Sequence, residues 1–221
     1  MKKFHKVLLT CICMAAMLLA TVAGTLAWLT DRDSAVNTFT VGQVDITVDE
    51  SRVNPDGTPV DGADRVKENS YHLLPGQSYK KDPIMTIAAY SEDAYVRMIL
   101  TVHNASDVQA ILTKYNLGDF SVLIDGWDQS IWRYEGFAED TVNNTISFEF
   151  RYKEIVAKHD ADTKLPALFD TLIVPGEITG EEIKDLYDDG FKMEVFGHAI
   201  QSASFADDDA AWAAFDDQSN P

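Results

Sequence analysis

The chain has 221 residues with 18 Lys and Arg against 36 Asp and Glu, a formal charge of −18, and an apolar share of 46%. Phosphate recognition needs clustered Lys and Arg, so this balance argues against a nucleic-acid partner and, for the same reason, against attraction to an anionic membrane surface. The length and apolar share suffice for one well-filled core, and a single domain is the natural prior.

The N-terminus carries Lys2, Lys3 and Lys6, then an apolar stretch over residues 7–23, then small residues ahead of a polar turn. That is the three-part layout of a cleavable secretory signal peptide. Thr25-Leu26-Ala27 puts small side chains at the two positions that enter the peptidase pockets, so the expected cut lies between Ala27 and Trp28. The competing reading is an uncleaved anchor, because apolar residues continue to Leu29 and a run of about 20 can span a bilayer. Cys11 and Cys13 sit inside the apolar core with no lipobox before either, which argues against lipoprotein processing. Cleavage removes both cysteines, leaving residues 28–221 without a disulfide in a compartment where disulfides persist. It also removes three lysines and no acid, taking the formal charge from −18 to −21.

Along residues 28–221, period-two alternation marks strands with one buried face. Val44, Ile46 and Val48 alternate with Asp45, Thr47 and Asp49, then Ala94, Val96, Met98, Leu100 and Val102 with Tyr95, Arg97, Ile99, Thr101 and His103, then Ile146, Phe148, Phe150 and Tyr152 with Ser147, Glu149 and Arg151, and Met193, Val195 and Gly197 continue the pattern. Shorter strand candidates are 84–88, 121–124 and 171–174. Residues 49–70 read as an exposed loop of turn formers. Ser106-Asp107 is a candidate cap for a helix over 108–115, Thr179 and Glu182 fit a capping box ahead of 183–187, and Asp207-Asp208-Asp209 precedes a helix over 210–215. Trp212 and Phe215 share a face of the last helix and read as a docking stripe. Leu74-Pro75-Gly76 and Val174-Pro175-Gly176 predict two similar turns. Six or seven strands with long loops predict a mainly β fold, an antiparallel jelly-roll-like β-sandwich with a few short peripheral helices.

Motifs for catalysis are missing. There is no HExxH, no GxSxG elbow, no phosphate loop and, after residue 27, no cysteine. His72, His103, His159 and His198 lie apart in sequence and read as structural or surface residues. No catalytic residue and no transition-metal ligand set is assigned. Calcium is the one ion that the acidity invites, with weak candidates at Asp31/Asp33, Asp125/Asp128 and Asp160/Asp162, none of which completes an EF-hand loop.

The run Gly24-Thr25-Leu26-Ala27-Trp28-Leu29-Thr30-Asp31, continuing through Asp33-Ser34-Ala35 and Asn37-Thr38-Phe39-Thr40-Val41-Gly42 to Val44-Asp45-Ile46, resembles the N-terminus of the TasA/camelysin family. Leu74-Pro75-Gly76-Gln77, Lys81-Asp82-Pro83, Ala94-Tyr95-Val96-Arg97, Ala199-Ile200-Gln201 and Ala211-Trp212 extend the resemblance in order along the chain. It implies a secreted Gram-positive protein processed by a SipW-type signal peptidase, with a jelly-roll domain over residues 28–221. For the TasA branch it implies self-association, or association with related matrix proteins, into biofilm fibres at the cell surface or in the extracellular matrix. In such fibres the segment after the cleavage site, here residues 28–40, acts as a donor strand for the next subunit. The camelysin branch implies the alternative of a metallo-endopeptidase, for which this sequence has no zinc motif. A carbohydrate-binding sandwich is a further alternative, with Trp127, Trp132 and Tyr134 as its aromatics.

Overall fold

The computed structural model describes the backbone of Thr30–Asp33 and residues 44–219. Among the described residues, eleven strands form three antiparallel sheets. The largest holds β1 (Thr30–Asp33), β5 (Ala94–His103), β7 (Trp132–Asp140), β8 (Thr145–Tyr152) and β11 (Met193–Gln201) in the order β1-β11-β5-β8-β7. A second orders β2 (Ile46–Asp49), β4 (Ile84–Ile87) and β9 (Thr163–Lys164) as β2-β4-β9. The third orders β3 (Ser78–Lys80), β6 (Ile124–Asp125) and β10 (Thr171–Ile173) as β3-β10-β6. The described residues also form short helices, α1 (Ala105–Lys114), α2 (Gly180–Asp188) and α3 (Asp208–Ser219).

Alternation decides which face is inside. Ala94, Val96, Met98 and Leu100 of β5, Phe150 of β8 and Ala199 of β11 are buried on one face of the large sheet, against Ile46 of β2 and Met85 and Ile87 of β4. Fully burying one such side chain contributes roughly 1.5–3 kcal/mol, so this layer is the main source of stability. The two sheets approach most closely at Gly197, where an added Cβ would overlap Met85 Cε and Val48 Cγ2. The third sheet and α2 make a smaller core from Tyr79, Leu172, Val174, Ile178 and Ile183.

The mainly β architecture and the long strands match the sequence reading, and several details differ. Residues 121–124 are not a strand. Phe120–Leu123 forms a 3₁₀ turn, because the Asp119 carboxylate accepts the Ser121 N–H at 2.9 Å and draws the backbone into a turn, leaving only Ile124 and Asp125 extended. Helix α1 starts at Ala105, not after Ser106-Asp107. Its N-cap is Asn104, left-handed at φ 53°, and the Ser106 N–H is satisfied by Asn144 Oδ1 at 3.0 Å. Strand β7 escaped the pattern altogether, since most of its side chains are exposed and alternation has nothing to report. The capping box at Thr179 and Glu182 is present, with the Thr179 N–H donating to Glu182 Oε2 at 2.9 Å.

Two loops are tied down in ways the sequence did not announce. The two Pro-Gly turns lie against each other. The Gly76 N–H donates to the Val174 carbonyl at 2.9 Å, and a Cβ on Gly76 would sit 3.6 Å from the Gly176 Cα. Within residues 49–70, Arg65 closes the base of the loop. Its guanidinium donates to the carboxylate of Asp49, to Ser51 Oγ at 3.0 Å and to the Asp82 carbonyl at 2.7 Å. Burial alone would raise the Asp82 pKa, but the N–H and O–H of Ser51, with Arg65 alongside, hold it below the usual carboxylate value.

Candidate functional site

Antiparallel strands alternate between neighbours in their hydrogen bonding. The His103 N–H donates to the Lys192 carbonyl at 2.9 Å, so the even-numbered residues of β11 bond to β5 and the odd-numbered ones face the opposite edge. Strand β1 occupies part of that edge, with Thr30 opposite Ile200, Asp31 opposite Ala199, Arg32 opposite His198 and Asp33 opposite Gly197. The described part of β1 ends at Asp33, opposite Gly197. Among the described residues no strand pairs with the 193–196 half of β11 on this side, where the backbone groups of Met193 and Val195 point. A cleft of about 430 Å³ beside this half is lined by Met193, Val195, Val48, Tyr71, Glu50 and Lys81 among others. Lys81 and Glu50 form a buried pair 2.8 Å apart, and burial together with the Glu50 charge pushes the Tyr71 phenol well above its ordinary pKa.

On the outer face of the same edge, helix α3 packs Ala211, Trp212 and Phe215 onto Ile200, as its aromatic stripe predicted. Arg97 of β5 is 4% exposed and reaches under the helix to Asp216, at 2.5 and 3.1 Å. A buried guanidinium is tolerable only with such pairing.

The expected peptidase junction, Ala27 and Trp28, lies outside the described residues, and of the 28–40 segment only Thr30–Asp33 is described. Those four residues are the strand that lies on the β11 edge. The side chains of the calcium candidates Asp31 and Asp33 lie outside the described residues. Asp125 Oδ1 accepts from the Gly126 N–H, Asp128 from the N–H and O–H of Ser130, and Asp162 from the Ala89 N–H, while Asp160 is exposed. Among the described residues no group of three or more His, Cys, Asp or Glu side chains is placed to hold a metal ion. His103 and His198 share the outer face of the large sheet but stand six positions apart in register, about 20 Å at strand rise. His103 pairs with Glu194 at 2.7 Å, and His72 and His159 are exposed in loops.

Of the aromatics, Trp132 is fully buried with its N–H on the Pro166 carbonyl at 3.3 Å, Trp127 donates to the Trp132 carbonyl at 3.1 Å, and Tyr134 is 41% exposed. Trp127 and Tyr134 both pack against Phe150, at ring-centroid distances of 5.3 and 5.5 Å, so they belong to the core margin more than to an open platform. Among the described residues no helix is long and apolar enough to cross a membrane. Sequence reasoning did not foresee that β1 would lie on β11, and no local pattern could have revealed it, because the pairing joins residues some 170 positions apart. No protein-family model, no curated protein and no solved structure matches the chain.

Proposed function

We propose that this is a secreted structural protein of the TasA/camelysin type, a biofilm fibre subunit or accessory that associates through its N-terminal segment, with its layers closing as a jelly roll. The observation that carries the reading is β1 itself. Four residues of the segment that the sequence nominates as a donor strand, Thr30–Asp33, already bond as a strand to the edge of the main sheet. The same ladder supplied by a neighbouring copy needs no new chemistry, only exchange of one copy's strand for another's. Such a contact joins two different surfaces and therefore propagates head to tail instead of closing into a dimer. The 193–196 half of β11, which among the described residues has no partner strand on that side, and the cleft beside it favour an edge that accepts extended chain. SipW-type cleavage after Ala27 would free the segment, so export and the ability to assemble would arise in one step.

The test is electron microscopy of residues 28–221 beside a chain that starts after Thr40. Filaments from the first and none from the second are expected. Monomers from both across salt, pH and concentration would overturn the reading.

A further inference from the structure

The register of the large sheet aligns basic residues from all five strands on one level: Arg32 of β1, His198 of β11, Arg97 of β5, Arg151 of β8 and Arg133 of β7. Four of the six arginines in an acidic chain thus stand in one row. Helix α3 lies over that row with acids facing it. Arg133 donates to Asp208 at 2.7 Å, Arg151 to Asp209 at 2.6 Å, and Arg97 to both oxygens of Asp216.

Arg97 is the central post. Its guanidinium carbon stands 4.5 Å from the Trp212 ring centroid and 5.0 Å from that of Phe215, close enough for attraction between cation and ring face. It also donates from Nε to His198 Nδ1 at 3.1 Å, and the His198 ring stacks on Phe215 at 4.9 Å. The helix therefore rests its weight on the side chains of His198 and Ile200. Those are the two β11 residues opposite Arg32 and Thr30 of β1.

We infer that α3, fixed by Arg97 as a positioning residue, is the clamp that keeps β1 on its own subunit's edge, so that the docking of the C-terminal helix governs release of the N-terminal strand. The inference rests on the strand-donation reading for its purpose, while the coupling of α3 to β1 is a separate physical statement. An edge strand leans on the strand it pairs with, and its hold weakens when that strand loses packing. Loosening α3 removes the packing that keeps the His198–Ile200 stretch of β11 in register with it.

The experiment is amide hydrogen exchange, read by mass spectrometry, on the chain beginning at Trp28. Asp216→Asn and Arg97→Lys are compared with the parent and with Lys184→Ala, which removes only the exposed pair with Asp188 on α2. Both clamp variants are expected to speed exchange several-fold in α3 and in Thr30–Asp33, leaving β3, β10 and the β5–β8 ladder at parental rates. Lys184→Ala is expected to change none of these. Faster exchange in α3 with β1 unchanged would overturn the coupling, and so would a uniform rise across all sheets, which would reduce Arg97 to a general stabiliser. Should Arg97→Lys fail to fold, Asp216→Asn, at a position whose side chain is 54% exposed, carries the test alone. Micrographs of the same samples separate the two ideas. Released β1 without any change in filament yield supports the clamp and counts against strand donation.

Discussion

The two edges of the five-stranded sheet are built on opposite plans. At one end, β7 runs for nine residues with most side chains in solvent, yet it is defended against pairing. It carries Arg133, Glu135, Glu139 and Asp140, and a register break between Tyr134 and Gly136, where Gly136 takes φ 132°, twists it away from a regular ladder. Charges and bulges are the usual means of blunting an edge. At the other end, the described part of β1 lies opposite residues 197–200 of β11, and among the described residues no strand pairs with 193–196 on that side. The two ends of the sheet are therefore unlike, and a head-to-tail contact joins two unlike surfaces.

That contrast can be broken or sharpened by substitution. The largest effect is expected at the buried end of β7. Trp132 is 0% exposed and its indole fills the main core, so Trp132→Ala should cost about 3–5 kcal/mol and lower the denaturant midpoint accordingly. Next comes Gly197, which sits opposite Asp33 of β1 and where the two layers meet. Gly197→Ala forces a Cβ against Val48 and Met85 and should destabilise by about 1–3 kcal/mol, with the loss visible in a thermal melt.

Acid should act at the loop base beside the cleft. Asp82 has a folded pKa below its unfolded value, so its contribution is complete above the ordinary carboxylate value of about 3.9 and disappears as the pH falls through the lower folded value. Asp82→Asn should therefore flatten the acid limb of a stability-against-pH curve. An unchanged acid limb would show that the Arg65 network does not couple to folding. The smallest effect on stability, within about 0.5 kcal/mol, is expected from Glu135→Val with Glu139→Val on β7, both in exposed positions. Their effect on association should be larger. Light scattering should report aggregation that no longer depends on residues 28–40, because the guard on that edge has been removed.

Legibility in the sequence followed burial. Strand β5 could be read residue by residue because Ala94, Val96, Met98, Leu100 and Val102 are all at or below 4% exposure. Strand β7 could not, because an edge strand with one buried residue at its start carries no alternation. The Trp212 and Phe215 stripe was legible as a docking face, but its receptor was not. Arg97 meets Asp216 across 119 positions of sequence, and the row of basic residues exists only once five strands are in register. Of the candidate site, the sequence offers a family resemblance around Ala27 and Trp28, which lie outside the described residues, and the described strand Thr30–Asp33 falls within the segment that the resemblance singles out. Which strand that segment meets is set by chain topology, on which local patterns are silent.

The most direct measurement uses the absence of cysteine after residue 27. Asp31 and Ala199 are Cα partners across the β1–β11 ladder, a spacing that suits a disulfide. One chain carries Asp31→Cys alone and a second carries Ala199→Cys alone; the two are mixed under assembly conditions and then oxidised. Strand donation predicts a disulfide-linked heterodimer, and a ladder of longer covalent chains when both substitutions are placed in one molecule. If the mixture yields no cross-link and the double variant forms only an intramolecular bond, β1 belongs to its own subunit and the proposed assembly is wrong.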